Sequence, residues 1–477
     1  MRNSDGSRIY GRENIGAFLV DHFRLLFSST NPVLDDSLSE LVEKVINEEE
    51  NVVLCLIPDE NEIFLAISDL GLKKAPGLDG MTWFFYKSYW PIVKSSVVLS
   101  VQYFFRGGFM LKEFNHTNIA LILKVDNPSL VNQFRPISLT NFNYKIISKI
   151  LLNRFKPLLQ KIVSPTQSAF LKGRSIYDNT ILAHELFHTM KQKKGNGGLM
   201  ALKLDTEKAF DSMEWDFILK ILYLLGFHST WIQWIQQCIT TTSFSILLDG
   251  APYGNFIPSR GLRQGDPLSP FLFILGSEIL SRLILKEENL ESLHGIKMAS
   301  MSPPISHLLF VDDVMIFSRA NGHEANAIIN CLSTYARWSR QCINMSKSAM
   351  FFSKNCRPAT RNAVKSILHL QSIPARAKYL GIPLFMLHKK RDTFIELKGK
   401  NFAKISGWKA KLLSQAARTT LLKAVANAIP TYVMSIFLLP KSLCSGINNG
   451  LRKFWSSFPP GQEAQPFFFI LEKYLLA

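Results

Sequence analysis

The residues best suited to chemistry are carboxylates that follow apolar segments. Asp205 and Asp211 come after an apolar run that begins at Leu199, and Asp312 and Asp313 separate the apolar runs LLF and VMIF. An adjacent Asp pair alone is more typical of a solvated turn, but carboxylates beside buried strands are costly without a cation. Carboxylate oxygens select Mg²⁺ or Mn²⁺, and two such ions are suited to in-line phosphoryl transfer.

A second candidate site is the segment RQGDPLSP, which runs from Arg263 to Pro270. Gly265 allows a ligand to approach the backbone closely, and the Gln264 amide offers both a donor and an acceptor. The same residue types are common where a chain enters a helix, so an ordinary helix-entry turn is the alternative. We expect Ser269 to be the N-cap of that helix and Pro270 its first residue.

A third pattern, H-E-x-x-H at His184 and His188, matches the zincin signature. The sequence lacks the further Gly and His of that signature, because Lys191 and Lys194 occupy their positions. We therefore favour a surface helix over a metalloprotease site.

The elements that must position these residues are predicted to be strands and helices in irregular order. A strand begins at Leu199, a hairpin with an Asp-Gly turn covers Ser243–Ser259, and two strands flank the Asp pair within His307–Ser318. Amphipathic helices are predicted at Asn143–Ile162 and after Asp211, and the chain beyond about residue 390 is mostly helical and basic. Strand pairs without regular β-α alternation predict an α+β fold.

The composition indicates a polyanionic partner. The 477 residues include 55 Lys and Arg against 37 Asp and Glu, a net charge of +18. Residues 101–200 carry 14 basic and 4 acidic side chains, and residues 351–477 carry 20 and 4. These segments flank a middle that contains the carboxylates, an arrangement suited to nucleic acid. Within the first, a series of four cations is suited to holding a triphosphate: Lys124, Arg135, Lys172 and Arg174.

The cysteines and the apolar segments bear on location. The six cysteines are scattered without C-x-x-C spacing, which favours reduced thiols. The first residues, MRNSDGSRIYGREN, are polar and lack the apolar stretch of a secretory signal. No window reaches the roughly 18 uninterrupted apolar residues that a membrane span requires. We expect an intracellular protein, cytoplasmic or nuclear, without a membrane partner.

Eight segments between Lys74 and Leu384 resemble, in their order, the reverse transcriptase of non-LTR retrotransposons of the long interspersed element type. They are KAPGLDG, NIALILKVDNP with FRPISL, QSAFLKGRSIYDN, KLDTEKAFDSMEW, GLRQGDPLSPFLF, HLLFVDDVMIF, INMSKS and KYLGIPL. The segment Trp408–Leu443 is similar to the helical region that follows the polymerase core in these elements.

The resemblance implies a right-hand fold of fingers, palm and thumb. Its expected parts are a helical N-terminal extension at 1–70, fingers at 71–198, a palm with an interleaved fingers hairpin at 199–390, a basic helical thumb-like region at 391–456 and an unassigned tail at 457–477. The implied activity is RNA-directed DNA polymerisation, with an RNA template, a DNA primer, deoxynucleoside triphosphates and Mg²⁺ or Mn²⁺.

The resemblance also implies roles for individual residues. Asp205 and Asp312 are expected to bind the metal ions with support from Asp313, and Lys347 to protonate the leaving pyrophosphate. The expected nucleotide-binding residues are Lys124, Arg135, Phe210, Gln264 and Gly265; the Phe210 ring would crowd a ribose 2′-hydroxyl. The expected primer grip is the hairpin of Tyr379, Leu380 and Gly381.

This sequence departs from the family pattern at several positions. Val311 stands where the family usually has Ala, Leu123 replaces a usual Pro, and Arg340 and Ala417 each replace a usual Gly. We expect the Gly replacements to strain turns that need a positive φ. Two other interpretations are a truncated, inactive relic that still binds nucleic acid and an intron-encoded maturase, of which the order of the motifs disfavours the maturase.

Overall fold

The computed structural model describes residues 1–3, 6–71, 75–386, 390–406 and 413–456. The beginning of KAPGLDG, the beginning of the segment Trp408–Leu443 and the tail at 457–477 lie outside these ranges. The chain divides into two compact units. The first unit comprises Met1–Arg174 and Gly195–Gln371, and the second comprises Ser175–Lys194 and the chain from Ser372 onward.

The strands, in chain order, are β1 His116–Leu123, β2 Phe134–Thr140, β3 Leu199–Asp205, β4 Ser243–Leu248, β5 Ala251–Phe256, β6 His307–Phe310, β7 Asp313–Arg319, β8 Ala349–Phe352, β9 Gln371–Ser372, β10 Lys378–Tyr379 and β11 Ile382–Pro383. They form a five-stranded sheet of order β6-β7-β3-β8-β9, a four-stranded sheet of order β2-β1-β4-β5, and the small hairpin β10-β11.

In the five-stranded sheet, β3 lies between β7 and β8 and is antiparallel to both. Its apolar residues fill the core, and Leu202 is fully buried. The last residue of β3, Asp205, lies opposite Asp313, the first residue of β7. The sheet therefore brings the two predicted carboxylate segments to one end of neighbouring strands.

In the four-stranded sheet, β1 pairs with β2 in antiparallel and with β4 in parallel orientation. The helix Arg12–Leu26 buries Leu19 and Phe23 in the same cluster as Ile119 of β1 and Ile246 of β4. This helix therefore completes the core of that sheet.

Helices surround both sheets of the first unit. Its other helices are Ser37–Leu41, Glu48–Leu54, Glu60–Asp69, Trp83–Ser88, Trp90–Gly107, Lys112–Asn115, Phe142–Phe155, Leu159–Ile162, Ala209–Ser212, Trp215–Leu224, Ser229–Thr240, Ser269–Asn289, Gly322–Ser339 and Pro358–Leu368, with a 3₁₀ turn at Val131–Gln133. Their apolar faces meet in one large core that includes Phe155, Phe217 and Trp234.

The second unit is mostly helical. Its helices are Ile176–Gln192, Lys390–Thr393, Ile395–Ile405, Gln415–Leu421, Ala428–Met434 and Lys441–Ser456, with a π-helical turn at Leu422–Ala426. Leu422, Ile447 and Leu451 are each exposed by less than 2% in its separate core. None of the helices in the described ranges is long and apolar enough to cross a membrane.

The mixed α and β structure predicted from the sequence is confirmed, including the hairpin of β4 and β5. Two local predictions were wrong. Ser269 rather than Pro270 is the first residue of its helix, and Leu268 is the N-cap, because Leu268 already has helical φ and ψ of −81° and −33°. The Ser269 hydroxyl donates to Asp266. Ala417 lies in the first turn of the helix Gln415–Leu421, where its N–H donates to Ser414. Arg340, by contrast, has the expected positive φ of 59°.

Candidate active site

Three aspartates meet where β3 and β6 end and β7 begins. Phe310 and Asp313 pair across the β6-β7 hairpin, which leaves Val311 and Asp312 as its two turn residues. Asp205 and Asp313 are direct cross-strand partners, so their side chains lie on the same face of the sheet. Lys203, two residues before Asp205, reaches the same face, and its Nζ lies 3.8 Å from Asp313 Oδ1.

The surroundings of this cluster oppose its negative charge. Burial raises the pKa of the Asp312 carboxyl, although part of the residue stays exposed, and the charge of Asp205 raises it further. Burial also raises the pKa of Asp313, an effect that the Lys203 ammonium group opposes. A cation bound among these carboxylates would relieve this repulsion.

The donor set fits a divalent metal ion. Mg²⁺ is typically bound by one or two carboxylates together with phosphate oxygens and waters. Within the described ranges no three His, Cys, Asp or Glu side chains already form a metal-binding group. The carboxylates of Asp205 and Asp312 are the groups here that could hold such an ion.

A loop before β8 is attached to the backbone of Asp205 on both sides. The Asp205 N–H donates to Ser348 Oγ at 3.0 Å, and the Asn344 N–H donates to the Asp205 carbonyl at 2.8 Å. The Asn344 side chain accepts from the N–H groups of Ser346 and Lys347 at 3.1 and 3.2 Å. These bonds place Lys347 Nζ 3.8 Å from Asp205 Oδ2 while the lysine side chain stays 69% exposed.

The RQGDP loop is anchored at both ends by buried charged residues. The Arg263 guanidinium donates to Asn115 Oδ1 at 2.6 Å and lies 3.9 Å from the centre of the Tyr144 ring. Asp266 accepts from the Tyr144 hydroxyl at 3.1 Å and from Ser269 Oγ at 2.9 Å. Arg263 and Asp266 therefore hold the loop, and the two residues between them form its tip.

At that tip, Gln264 and Gly265 adjoin β2. The Ser138 N–H donates to the Gln264 carbonyl at 2.8 Å, and Gln264 Nε2 donates to Asp211 Oδ1 at 3.0 Å. Gly265 has a φ of 113°, and a Cβ there would lie 3.1 Å from the Ser138 carbonyl oxygen. Only glycine fits this position without strain.

The other predicted nucleotide-binding residues belong to the same unit. Arg135 on β2 is exposed, and its charge is felt by both Lys124 and Asp312. Burial lowers the pKa of the Lys124 ammonium group, and repulsion from Arg135 adds to the effect. The Phe210 ring stacks on Phe273 with the ring centres 4.8 Å apart.

The predicted primer-grip residues lie in the second unit. Tyr379 ends β10 and is 1% exposed, and it pairs with Ile382 of β11. Leu380 and Gly381 form the turn with φ values of 49° and 81°. The Tyr432 hydroxyl donates to the Leu380 carbonyl at 2.7 Å and holds the turn.

Two other groups of residues that the sequence analysis weighed, the H-E-x-x-H histidines and Arg174, take structural roles. The His184 ring packs edge-on against Phe437, and burial lowers the pKa of His184 to about 4. His188 instead pairs with Gln192, so the two histidines do not converge. Arg174 donates to the backbone carbonyls of Val163 and Gln167, at 2.9 and 2.6 Å, which corrects its assignment to a triphosphate clamp.

Sequence reasoning missed several residues that shape this site. Lys203 could have been found, because residues two apart on a strand share a face. Asn344 and Ser348 stand in the INMSKS motif, but their bonds to Asp205 join residues more than 130 positions apart. Asp211 was noted as a carboxylate, yet nothing in the sequence pairs it with Gln264.

Comparison with known proteins identifies the family. Residues 122–384 match the family model described as reverse transcriptase (RNA-dependent DNA polymerase). The chain belongs to the reverse transcriptase family. The matched range contains all the predicted site residues, from Lys124 to Gly381.

Several relatives are proteins of non-LTR retrotransposons. The chain is 26% identical over 432 residues to the Transposon TX1 uncharacterized 149 kDa protein of Xenopus laevis, a match that covers 89% of this chain and 32% of the relative. It is 24% identical over 347 residues to a probable RNA-directed DNA polymerase from transposon BS of Drosophila melanogaster, covering 70% and 36%. It is 27% identical over 255 residues to the Pol polyprotein of element R2DM from the same fly, covering 53% and 23%. The chain thus spans at most about a third of the length of these relatives.

Proposed function

We propose that this chain is an RNA-directed DNA polymerase that extends the 3′-hydroxyl of a DNA primer on an RNA template. The observation that carries the proposal is the meeting of Asp205, Asp312 and Asp313 at one sheet end, with Lys347 3.8 Å from Asp205. Its substrates would be deoxynucleoside triphosphates, and its cofactor Mg²⁺, with Mn²⁺ as a substitute.

In this proposal Asp205 and Asp312 hold the metal ions, and Asp313 supports them through its contact with Lys203. When bound, such ions activate the attacking oxygen and neutralise the leaving pyrophosphate. Lys347 donates a proton to that pyrophosphate. Lys124 and Arg135 hold the triphosphate.

The other roles concern selection of the nucleotide and grip of the primer. Gln264 and Gly265 line the incoming nucleotide, and the Phe210 ring excludes a ribose 2′-hydroxyl. The hairpin of Tyr379, Leu380 and Gly381 grips the primer.

The same proposal assigns the right-hand names to the chain. Residues 71–198 would be fingers, 199–390 palm and 391–456 a thumb-like region, and the protein would act inside the cell. Residues 351–477 carry 20 basic and 4 acidic side chains, and this excess of positive charge suits contact with a nucleic acid duplex.

The second candidate function is a relic that binds nucleic acid without catalysis. It is favoured by Val311, a β-branched residue with a φ of 57° next to Asp312, a conformation that costs such residues about 1–3 kcal/mol.

One experiment separates the two functions. Binding of an RNA–DNA template–primer is measured over a salt series, and extension is then measured with and without Mg²⁺. The polymerase proposal predicts salt-sensitive binding together with Mg²⁺-dependent extension. Binding without extension would support the relic, and the loss of both would contradict both functions.

A further inference from the structure

The turn that carries Asp312 has an unfavourable backbone. Val311 and Asp312 are the two turn residues of the β6-β7 hairpin, and Val311 has a φ of 57°. A β-branched side chain is a rare occupant of the left-handed region. Such a conformation persists only where the surrounding structure imposes it.

Besides Thr206, whose Oγ1 donates to the Asp312 carbonyl at 3.5 Å, Gln167 contacts this turn. It is fully buried, and its Oε1 accepts from the N–H of Val311 at 3.3 Å and from the N–H of Ala169 at 3.0 Å. Two donors on one oxygen fix the orientation of the amide, because the flipped amide would set NH₂ against both N–H groups. The turn amide of Val311 is thereby tied to a buried group.

The backbone around Gln167 is itself fixed against β6. The Leu309 N–H donates to the Thr166 carbonyl at 2.9 Å, and the Ser168 N–H donates to the Leu309 carbonyl at 3.1 Å. Arg174 donates to the Gln167 carbonyl at 2.6 Å. Residues 166–168 therefore form an added parallel edge on β6, and Gln167 reaches from that edge to the turn.

We propose that Gln167 is a positioning residue that holds the Val311–Asp312 turn and so sets the direction of the Asp312 carboxylate. This role rests on the proposed polymerase function, since the carboxylate it directs is a proposed metal ligand. Gln167 acts through Val311, so its loss should slow nucleotide addition and leave the affinity for template–primer unchanged.

The first test is hydrogen exchange, which does not depend on activity. Gln167→Met keeps the side-chain length and removes the acceptor, so amides within 307–314 should exchange about tenfold faster, as expected when a buried N–H loses its partner. Gln167→Glu keeps an acceptor oxygen for both N–H groups and should exchange more slowly than Gln167→Met, although the buried carboxyl costs stability. The matched control is Asn51→Leu, which removes another buried amide, one that bridges Gly226 and His228. Unchanged exchange in Gln167→Met would overturn the proposal.

The second test is a double-mutant cycle on the rate of single-nucleotide addition. Asn adopts the left-handed region more readily than Val, so Val311→Asn should make the turn less dependent on Gln167. Gln167→Met should slow addition about tenfold in the wild type and about threefold or less beside Val311→Asn. Equal losses in both backgrounds would overturn the proposal. A wild-type chain that extends no primer would defeat the proposed function, and the exchange result would still decide the role of Gln167.

Discussion

Gln264 Nε2 donates a hydrogen bond to Asp211 Oδ1 at 3.0 Å. Asp211 is 5% exposed, whereas Gln264 stands at the tip of a loop whose ends are held by Arg263 and Asp266. The bond uses one amide N–H of Gln264. It thereby fixes the orientation of the amide, whose other N–H and oxygen would be the groups that a nucleotide meets.

Loss of this bond should weaken nucleotide binding. Asp211→Leu leaves Gln264 without its acceptor, so we expect the KM for deoxynucleotides to rise about tenfold, with a smaller change in kcat. Asp211→Asn keeps an acceptor oxygen and is the matched control, with a KM within about threefold of the wild type. Equal effects of the two changes would show that Asp211 does not act through the hydrogen bond.

The same residue predicts a pH dependence. Burial raises the pKa of Asp211 to about 6, although the hydrogen bond from Gln264 acts to lower it. Below that pH the protonated carboxyl is a weaker acceptor, so the wild-type KM should rise as the pH falls through 6. The Asp211→Asn enzyme, which cannot titrate there, should lack this rise. Steady-state kinetics from about pH 5 to 8 test this prediction. The same dependence of KM on pH in the wild type and in Asp211→Asn would contradict the role of Asp211.

Removal of the Lys347 ammonium group should slow chemistry more than binding. General acid catalysis contributes about 10²–10⁴-fold, so Lys347→Met should lower the rate of nucleotide addition about 100-fold and leave the KM nearly unchanged. Lys354→Met, at another exposed lysine of the same unit, is the control. A rise in KM at constant kcat would instead assign Lys347 to binding.

Phe210 should control the choice of sugar. Its ring stacks on Phe273, and Phe210→Val removes it, so incorporation of ribonucleotides relative to deoxynucleotides should increase about tenfold or more. Phe273→Leu removes the stacking partner while the Phe210 ring stays, which makes it the control for loss of packing. An unchanged sugar preference in Phe210→Val would contradict the proposal that the Phe210 ring excludes a ribose 2′-hydroxyl.

His307 should make the fold sensitive to acid. It is fully buried beside Ser281 and Thr166, and burial lowers its pKa to about 4. The unfolded chain therefore binds more protons between about pH 6.5 and 4, and stability falls as the pH drops through that range, by about 3 kcal/mol from this group.

Urea unfolding at pH 7 and at about pH 4.5 measures this effect. His307→Gln should lose less stability between the two pH values than the wild type. An exposed change, His188→Gln, should leave the pH dependence as in the wild type. If His307→Gln and the wild type lose the same stability, the buried histidine is not the acid-sensitive group.

The elements that carry the site could be predicted from local patterns. Alternation and the Asp-Gly turn predicted the β4-β5 hairpin, and apolar runs broken by carboxylates predicted β3 and the β6-β7 hairpin. The order of the motifs pointed to the reverse transcriptase family, and the match over residues 122–384 confirms that family.

The contacts that fix the geometry of the site could not be predicted in this way. The bonds from Ser348 and Asn344 to Asp205, and from Gln167 to Val311, join distant parts of the chain. The H-E-x-x-H pattern matches a zinc signature by local spacing alone. That spacing cannot reveal that His184 packs against Phe437. Each of these contacts depends on how distant parts of the chain pack together.

The most direct test of the polymerase proposal is extension of a DNA primer on an RNA template by Asp312→Asn. This change keeps the shape of the side chain and removes a negative charge from the proposed metal ligand, so Mg²⁺-dependent extension should fall by about 1000-fold or more. Asp216→Asn, an exposed change on the helix Trp215–Leu224, should extend like the wild type. Extension by Asp312→Asn within about tenfold of the wild type would contradict the proposal that Asp312 binds the catalytic metal.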